Sequence, residues 1–314
     1  MVAVAGLWWS YPGSATVADK VALAEKPQLT SDRPEIPPAG PIRTDVAEKG
    51  ADPDPVSQGP QPETAKERAE RLVAAGKDAL GQGDLIAARS HFSDAVQTGV
   101  DEPQASIVVG ELNRLGSETV FSPRVFEGDA FAEQYVIKTG DSLAKIANAN
   151  KVSADLLAQI NGIQDKNLIR AGQSIKLVKG PFHAVVDKGD FTLELFLGKT
   201  MVKHFRVGLG ADNSTPTGTW QVENKLANPT YYPPRGGDII AADDPNNPLG
   251  ERWIGLTGIS GQAVGQQRYG IHGTNEPDSI GRNVSMGCIR MYNEDVEQVY
   301  IYLVEKHSTV IVKD

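Results

Sequence analysis

The chain has 314 residues, a net charge of −9 and a pI near 5.2. That length suits about two to three domains, and the acidic balance excludes nucleic acid or an anionic membrane surface as the main partner. A single cysteine excludes an intrachain disulfide framework.

Met1 to Trp9 is apolar but only about nine residues long, against the roughly 20 needed to span a bilayer, and no Lys or Arg precedes it. It reads as a remnant of a signal or anchor, or as an irregular start; membrane contact is expected only if it is an anchor. Nine prolines between Pro27 and Pro62, mixed with Asp, Glu, Gly and Ser, make residues 1–62 a disordered Pro-rich tether. Such a segment buries too little apolar surface to offset chain entropy.

Residues 63–118 change to helical periodicity. Ala65, Ala69, Leu72, Val73 and Leu80 form one apolar face, Gly81 to Asp84 breaks it, and Leu85, Ala88, Phe92 and Ala95 form a second. The G-x-G-D-x-x-x-A-x-x-x-F-x-x-A-V run resembles one tetratricopeptide-type hairpin, with a third helix from Pro103 to Leu115 capping it. One hairpin is short of a stacked array. It is read as a spacer or as a docking element for a protein partner.

Residues 134–178 read as a small βααβ unit. Tyr135-Val136-Ile137 opens it, Asp141 is placed as a helix N-cap, Leu156, Leu157 and Ile160 face inward, and Asn161-Gly162 ends the second helix. With Y-x-I-K-x-G-D-S-L-x-x-I-A at one end and L-x-x-x-N-G at the other, it resembles a LysM domain. The resemblance implies binding of N-acetylglucosamine-containing glycan by Gly140, Asp141, Ser142 and Asn161.

Residues 181–314 open as β structure with alternating patterns at Ala184–Val186, Phe191–Leu195 and Met201–Val207. Thr215-Pro216-Thr217-Gly218 is a turn, and an irregular stretch from Asn228 to about Gly250 has the length of a substrate lid. Tyr231 and Tyr232 on it suit stacking on sugar or peptide, or packing beneath the loop. Asn293 is placed as the cap of a helix bearing Val296, Val299, Tyr300, Leu303 and Val304. A strand at Thr309–Val312 closes the chain.

The sole cysteine, Cys288, follows His272 by 16 positions. A nearby imidazole is the usual means of generating a thiolate near neutral pH. Gly273 and Gly287 flank the pair where backbone must approach a substrate, amides near Gly287 and Cys288 suit an oxyanion, and Arg290 offers a fork for a carboxylate. The run H-G-T-N-E-P-x-S-I-G-x-x-V-S-x-G-C-I-R-M resembles the signature of bacterial L,D-transpeptidases, the YkuD-like domain, and T-P-T-G is a second piece of that pattern. The resemblance implies Cys288 as nucleophile, His272 as the base that holds the thiol ionised, and Gly273 acting through its carbonyl. It implies Arg290 at the donor substrate; Ser285 and Gly287 are placed there too, and Tyr231 and Tyr232 are the candidates on the loop. Met286 stands where the family usually has a second histidine.

The expected protein is a multidomain envelope enzyme, periplasmic or wall-associated, with a mostly β L,D-transpeptidase domain. It would act on peptidoglycan stem peptides beside glycan strands, forming 3→3 crosslinks through a thioacyl enzyme. An L,D-carboxypeptidase, a protein-to-wall anchoring transpeptidase and a catalytically silent glycan-binding scaffold stay open as alternatives. His91, His183, His204 and His307 share no ligand spacing, so no metal and no cofactor are assigned.

Overall fold

A thiol and an imidazole sixteen residues apart can meet only if the chain folds two strand ends side by side, and the topology does this. The computed structural model describes residues 63–234 and 236–314. The expectations for residues 1–62 lie outside these.

Three helices lead. Helix α1 (Ala65–Gly81) starts in a capping box, with Thr64 accepting from the Glu67 amide and Glu67 reaching back to Thr64. Helix α2 (Leu85–Thr98) is capped by Asp84, and α3 (Gln104–Thr119) follows. The LysM-like unit comes next, with β1 (Ala132–Val136), α4 (Leu143–Ala149), α5 (Ala154–Ile160) and β2 (Ser174–Val178), its strands antiparallel. The N-cap of α4 is Ser142, which accepts from the Lys145 amide, and not the expected Asp141.

The remaining chain builds β3 (Phe182–Asp187), β4 (Thr192–Leu197), β5 (Thr200–Arg206), β6 (Leu209–Gly210), β7 (Gly218–Ala227), β8 (Arg252–Gly258), β9 (Tyr269–His272), β10 (Asn283–Ser285), β11 (Ile289–Arg290), α6 (Asn293–Tyr302) and β12 (Thr309–Lys313). Eight strands make one sheet in the order β11-β9-β8-β7-β12-β3-β4-β5, and β10 pairs separately with β6. Alternate strand residues such as Phe182, Ala184 and Val186 are fully buried, as period-2 patterning requires.

The helical module packs on the sheet. Leu112 and Leu115 of α3 and Phe92 of α2 share a core with Phe196 and Met201 of β4 and β5. β5 is a sheet edge, and side chains of the helices satisfy its backbone: Ser93 Oγ accepts from the Met201 amide and Asn113 Oδ1 from the His204 amide, each at 2.8 Å. An edge closed in this way cannot template pairing with another chain. Gly116 lies so close that a Cβ there would meet the Val202 carbonyl at 1.8 Å. The apolar face of the helices is thus covered by the sheet.

The LysM-like unit is joined as tightly. Ser153 donates to the Ile301 carbonyl at 2.6 Å, and Phe121, Phe182 and Tyr302 stack at centroid distances of 4.4–5.9 Å. Lys176 is buried and donates to the Thr119 and Ser122 carbonyls at the end of α3, and burial lowers its pKa to about 8. Arg89 pairs with Asp129 at 2.9 Å, both almost fully buried, and also donates to Thr119. Losing one member of such a pair costs about 3–5 kcal/mol. No helix of the described residues is long and apolar enough to cross a membrane.

Candidate active site

Strand register assembles the site. His272 pairs with Trp253 of β8 on one side and with Arg290 of β11 on the other. Register partners point to the same face of a sheet, and so does a residue two positions away. Trp253, His272 and Arg290 therefore share one face, and Cys288 stands directly before β11, within reach of the Gly270 amide of β9. The sheet brings together what the sequence separates.

His272 is buried, and its Nδ1 lies 2.6 Å from the Gly273 carbonyl oxygen. A carbonyl only accepts, so Nδ1 carries the hydrogen and Nε2 is the free base. The Trp253 indole stacks on the imidazole at 5.8 Å and 20°. It also fills the space a side chain at Gly270 would need, 2.6 Å from a Cβ there. Burial brings the His272 pKa down to about 4; the Gly273 bond opposes this and the Arg290 charge adds to it.

Cys288 is half-buried, and its Sγ donates to the Arg268 carbonyl at 3.7 Å. Burial pushes the thiol pKa up, against smaller lowering effects of the Gly270 amide and Arg290. Both shifts favour neutral forms. Desolvation penalises both charged forms, which favours a neutral thiol beside a neutral imidazole.

The turn bearing the cysteine is braced from two sides. Ser285 Oγ donates to the Cys288 carbonyl at 2.7 Å and accepts from the Gly287 amide at 3.1 Å. Thr215 Oγ1 donates to the Gly287 carbonyl and accepts from the Gly210 amide, each at 2.9 Å. Gly287 has φ +124°, and a Cβ there would meet the Tyr269 ring at 2.6 Å. The Ser285 hydroxyl and the Gly287 amide hold the turn. Met286 projects outward, 58% exposed.

Arg290 donates through Nη1 to Glu276 at 2.7 Å, and its Nε is buried without a partner. Asn293 is the first residue of α6 and caps no amide of that helix. Its Oδ1 accepts instead from the Thr274 amide at 2.9 Å and would lie 2.1 Å from a Cβ on Gly273. Asn293 thus fixes the backbone whose carbonyl orients His272.

The 228–250 stretch is pinned at its base by buried Asn247, which donates to the Pro229 and Ala241 carbonyls. It borders a polar groove of about 490 Å³ that reaches Thr274, Asn275 and Asn293. Tyr231 and Tyr232 do not line this groove. Tyr231 forms a bridge with Ile240, and Tyr232 stands 68% exposed.

In the LysM-like unit, Gly140, Asp141 and Ser142 form the turn into α4, where Asp141 accepts from the Lys138 amide and the Tyr135 hydroxyl. Asn161 does not join them. Its amide is spent on the Leu157 carbonyl and on both backbone groups of Lys176.

Sequence reading missed Trp253 altogether, saw no bracing role for Thr215 and gave Asn293 the wrong one. Thr215 was visible only as part of a turn, and Asn293 only as a helix cap. No local signal marks Trp253.

The arrangement is that of a mostly β domain with a cysteine and a histidine at neighbouring strand ends, joined to a small βααβ unit. Residues 181–312 match the L,D-transpeptidase catalytic domain (YkuD) family, and residues 135–178 match the LysM domain family. The chain is 37% identical over 170 residues to the protein named as the L,D-transpeptidase YkuD in Bacillus subtilis (strain 168), covering 52% of this chain and 88% of that one. It is 31% identical over 229 residues to the one named ErfK/SrfK in Escherichia coli (strain K12), covering 67% and 66%. A crystal structure of L,D-transpeptidase 3 from Mycobacterium tuberculosis aligns at 16% identity over 46% of this chain and 66% of that one. Its TM-score of 0.34 is too low to add anything. The chain belongs to the L,D-transpeptidase (YkuD) family. It is a peptidoglycan-directed member that carries a LysM domain, with its action at the cell wall or in the periplasm.

Proposed function

We propose that this protein forms 3→3 peptidoglycan crosslinks through a thioacyl enzyme on Cys288. The observation that carries the reading is the register that sets Arg290 beside His272, with Cys288 directly before β11 and His272 Nδ1 fixed on the Gly273 carbonyl. A neutral imidazole with Nε2 free is a general base, so the thiol is activated during attack and not beforehand. Cys288 Sγ turns from the Arg268 carbonyl toward Nε2, gives up its proton there and attacks the carbonyl carbon of the third stem residue. The Cys288 amide is the donor left at the turn for the oxyanion, since the Gly287 amide is bonded to Ser285. The C–N bond to the terminal D-alanine then breaks as the imidazolium protonates the leaving amine. An amine of a neighbouring stem peptide attacks the thioester, its proton passes to His272, and the thiol is restored.

Arg290 is assigned to a carboxylate of the donor peptide. The turn at Gly140–Ser142 is assigned to N-acetylglucosamine-containing glycan, and Asn161 to holding the LysM strands. Because the LysM domain shares a core with the catalytic domain, glycan binding would raise the local stem-peptide concentration at a fixed geometry. The tetratricopeptide-like hairpin is assigned to bracing β5.

Incubation with disaccharide tetrapeptide, followed by mass spectrometry of the products, tests the reading. Crosslinked dimer should form, a carbapenem should leave a covalent adduct on the intact protein, and Cys288→Ala should abolish both. Tripeptide in place of dimer would identify a carboxypeptidase, and an adduct that persists in Cys288→Ala would exclude this nucleophile.

A further inference from the structure

Arg290 is the cation nearest the reacting pair, and it is already occupied. Its Nη1 holds the Glu276 carboxylate at 2.7 Å. The two partners sit very differently: the arginine side chain is 16% exposed and the glutamate 64%. Glu276 therefore covers a mostly buried guanidinium from the solvent side. It follows His272 by four positions, on the loop whose Thr274 amide is held by Asn293. Its own amide donates to Thr274 Oγ1 at 3.0 Å, so the backbone of Glu276 is fixed while its side chain reaches out to the arginine. The guanidinium is bonded below its capacity. Glu276 takes one nitrogen, and Nε is buried with no acceptor.

We propose that Glu276 is a resident carboxylate of the donor site. It occupies Arg290 in the free enzyme and is displaced by a carboxylate of the incoming stem peptide, so it sets the affinity for acidic donors. The inference rests on the assignment of Arg290 to donor binding. Physically, the exchange is a competition between two anions for one planar fork. The Glu276 end of the pair is 64% exposed and holds one nitrogen only, so solvent screens it and the long side chain loses freedom to form it. A ligand carboxylate that takes two nitrogens makes the stronger contact. Displacement is thus favourable, yet Glu276 lowers the apparent affinity. Two carboxylates of the stem peptide have the required chemistry: the C-terminal one on the departing residue and the one on the side chain of the third residue.

The test compares wild type, Glu276→Gln, Glu276→Lys and Arg290→Lys on three synthetic donors. One has both carboxylates free, one is amidated at the C-terminus, and one is amidated on the third side chain. With the free donor, Glu276→Gln should lower KM about two- to fivefold, the range a solvent-screened pair commands. The effect should fall on KM and not on kcat, and Glu276→Lys should lower KM at least as far. The gain should vanish with one amidated donor, which identifies the carboxylate that Arg290 reads. Arg290→Lys keeps the charge but loses the fork, and should raise KM for the free donor. If Arg290→Lys raises KM while both Glu276 variants leave it unchanged for every donor, the resident-carboxylate inference is overturned and the role of Arg290 stands. If Arg290→Lys binds all three donors as wild type does, the donor-site assignment itself falls. Glu276 variants that lose kcat and melting temperature alike on all donors would make Glu276 a brace for its loop, and would also overturn the inference.

Discussion

A Cys–His pair can work as a preformed ion pair or as a neutral pair that ionises during attack, and pH separates the two without any mutation. Here His272 is brought down to about 4 and Cys288 is raised above its ordinary 9.0, in each case chiefly by burial. At pH 7 both directions favour the neutral forms. Alkylation by iodoacetamide requires a thiolate already formed. Its rate should climb about tenfold per pH unit through neutrality and level off only above pH 9. Acylation by a carbapenem or donor peptide uses the neutral base, and should persist down to about pH 5 before falling as His272 protonates. His272→Ala should slow acylation about 10²–10⁴-fold yet leave alkylation at high pH nearly unchanged. The same shift affects stability with a definite sign. The folded value lies below the unfolded one, so the unfolded chain takes up more protons between about pH 6.5 and 4. The contribution, about 3 kcal/mol for the full shift, is present above pH 6.5 and lost as the pH falls. An alkylation profile that levels off below pH 7 would show a preformed thiolate and refute the reasoning.

Three further outcomes follow from the geometry. Gly273→Ala places a Cβ 2.1 Å from Asn293 Oδ1, so the carbonyl that orients His272 must move; kcat should drop at least tenfold in the donor assay, with alkylation of Cys288 at high pH retained. Met286→His replaces a side chain that is 58% exposed, and should change stability by no more than about 0.5 kcal/mol by denaturant titration; a large loss would show that Met286 packs under the turn. Ser93→Ala and Asn113→Ala each remove the acceptor of a β5 amide; each should cost about 1–3 kcal/mol of unfolding free energy, and the double variant should associate through the opened edge in sedimentation experiments.

The sequence by itself determined the elements that depend on short-range chemistry. The spacing of Leu72, Val73, Phe92 and Ala95 sets the buried faces of the hairpin, and alternation near Ala184 and Val186 marks a half-buried strand. The run from His272 to Met291 was legible as a family signature because it is contiguous. Only the tertiary structure decided what depends on burial and on strands distant in the chain. The neutral state of the thiol and imidazole arises from desolvation, which a linear pattern does not record. Trp253 reaches His272 through the β8–β9 register and Thr215 reaches Gly287 across a separate turn, contacts spanning 19 and 72 residues. Ser285, Asn161 and Asn293 have side chains fit for binding a ligand, and the fold spends all three on its own backbone. Residue type states what a group can do; the partners that the fold supplies decide which of those capacities is still free.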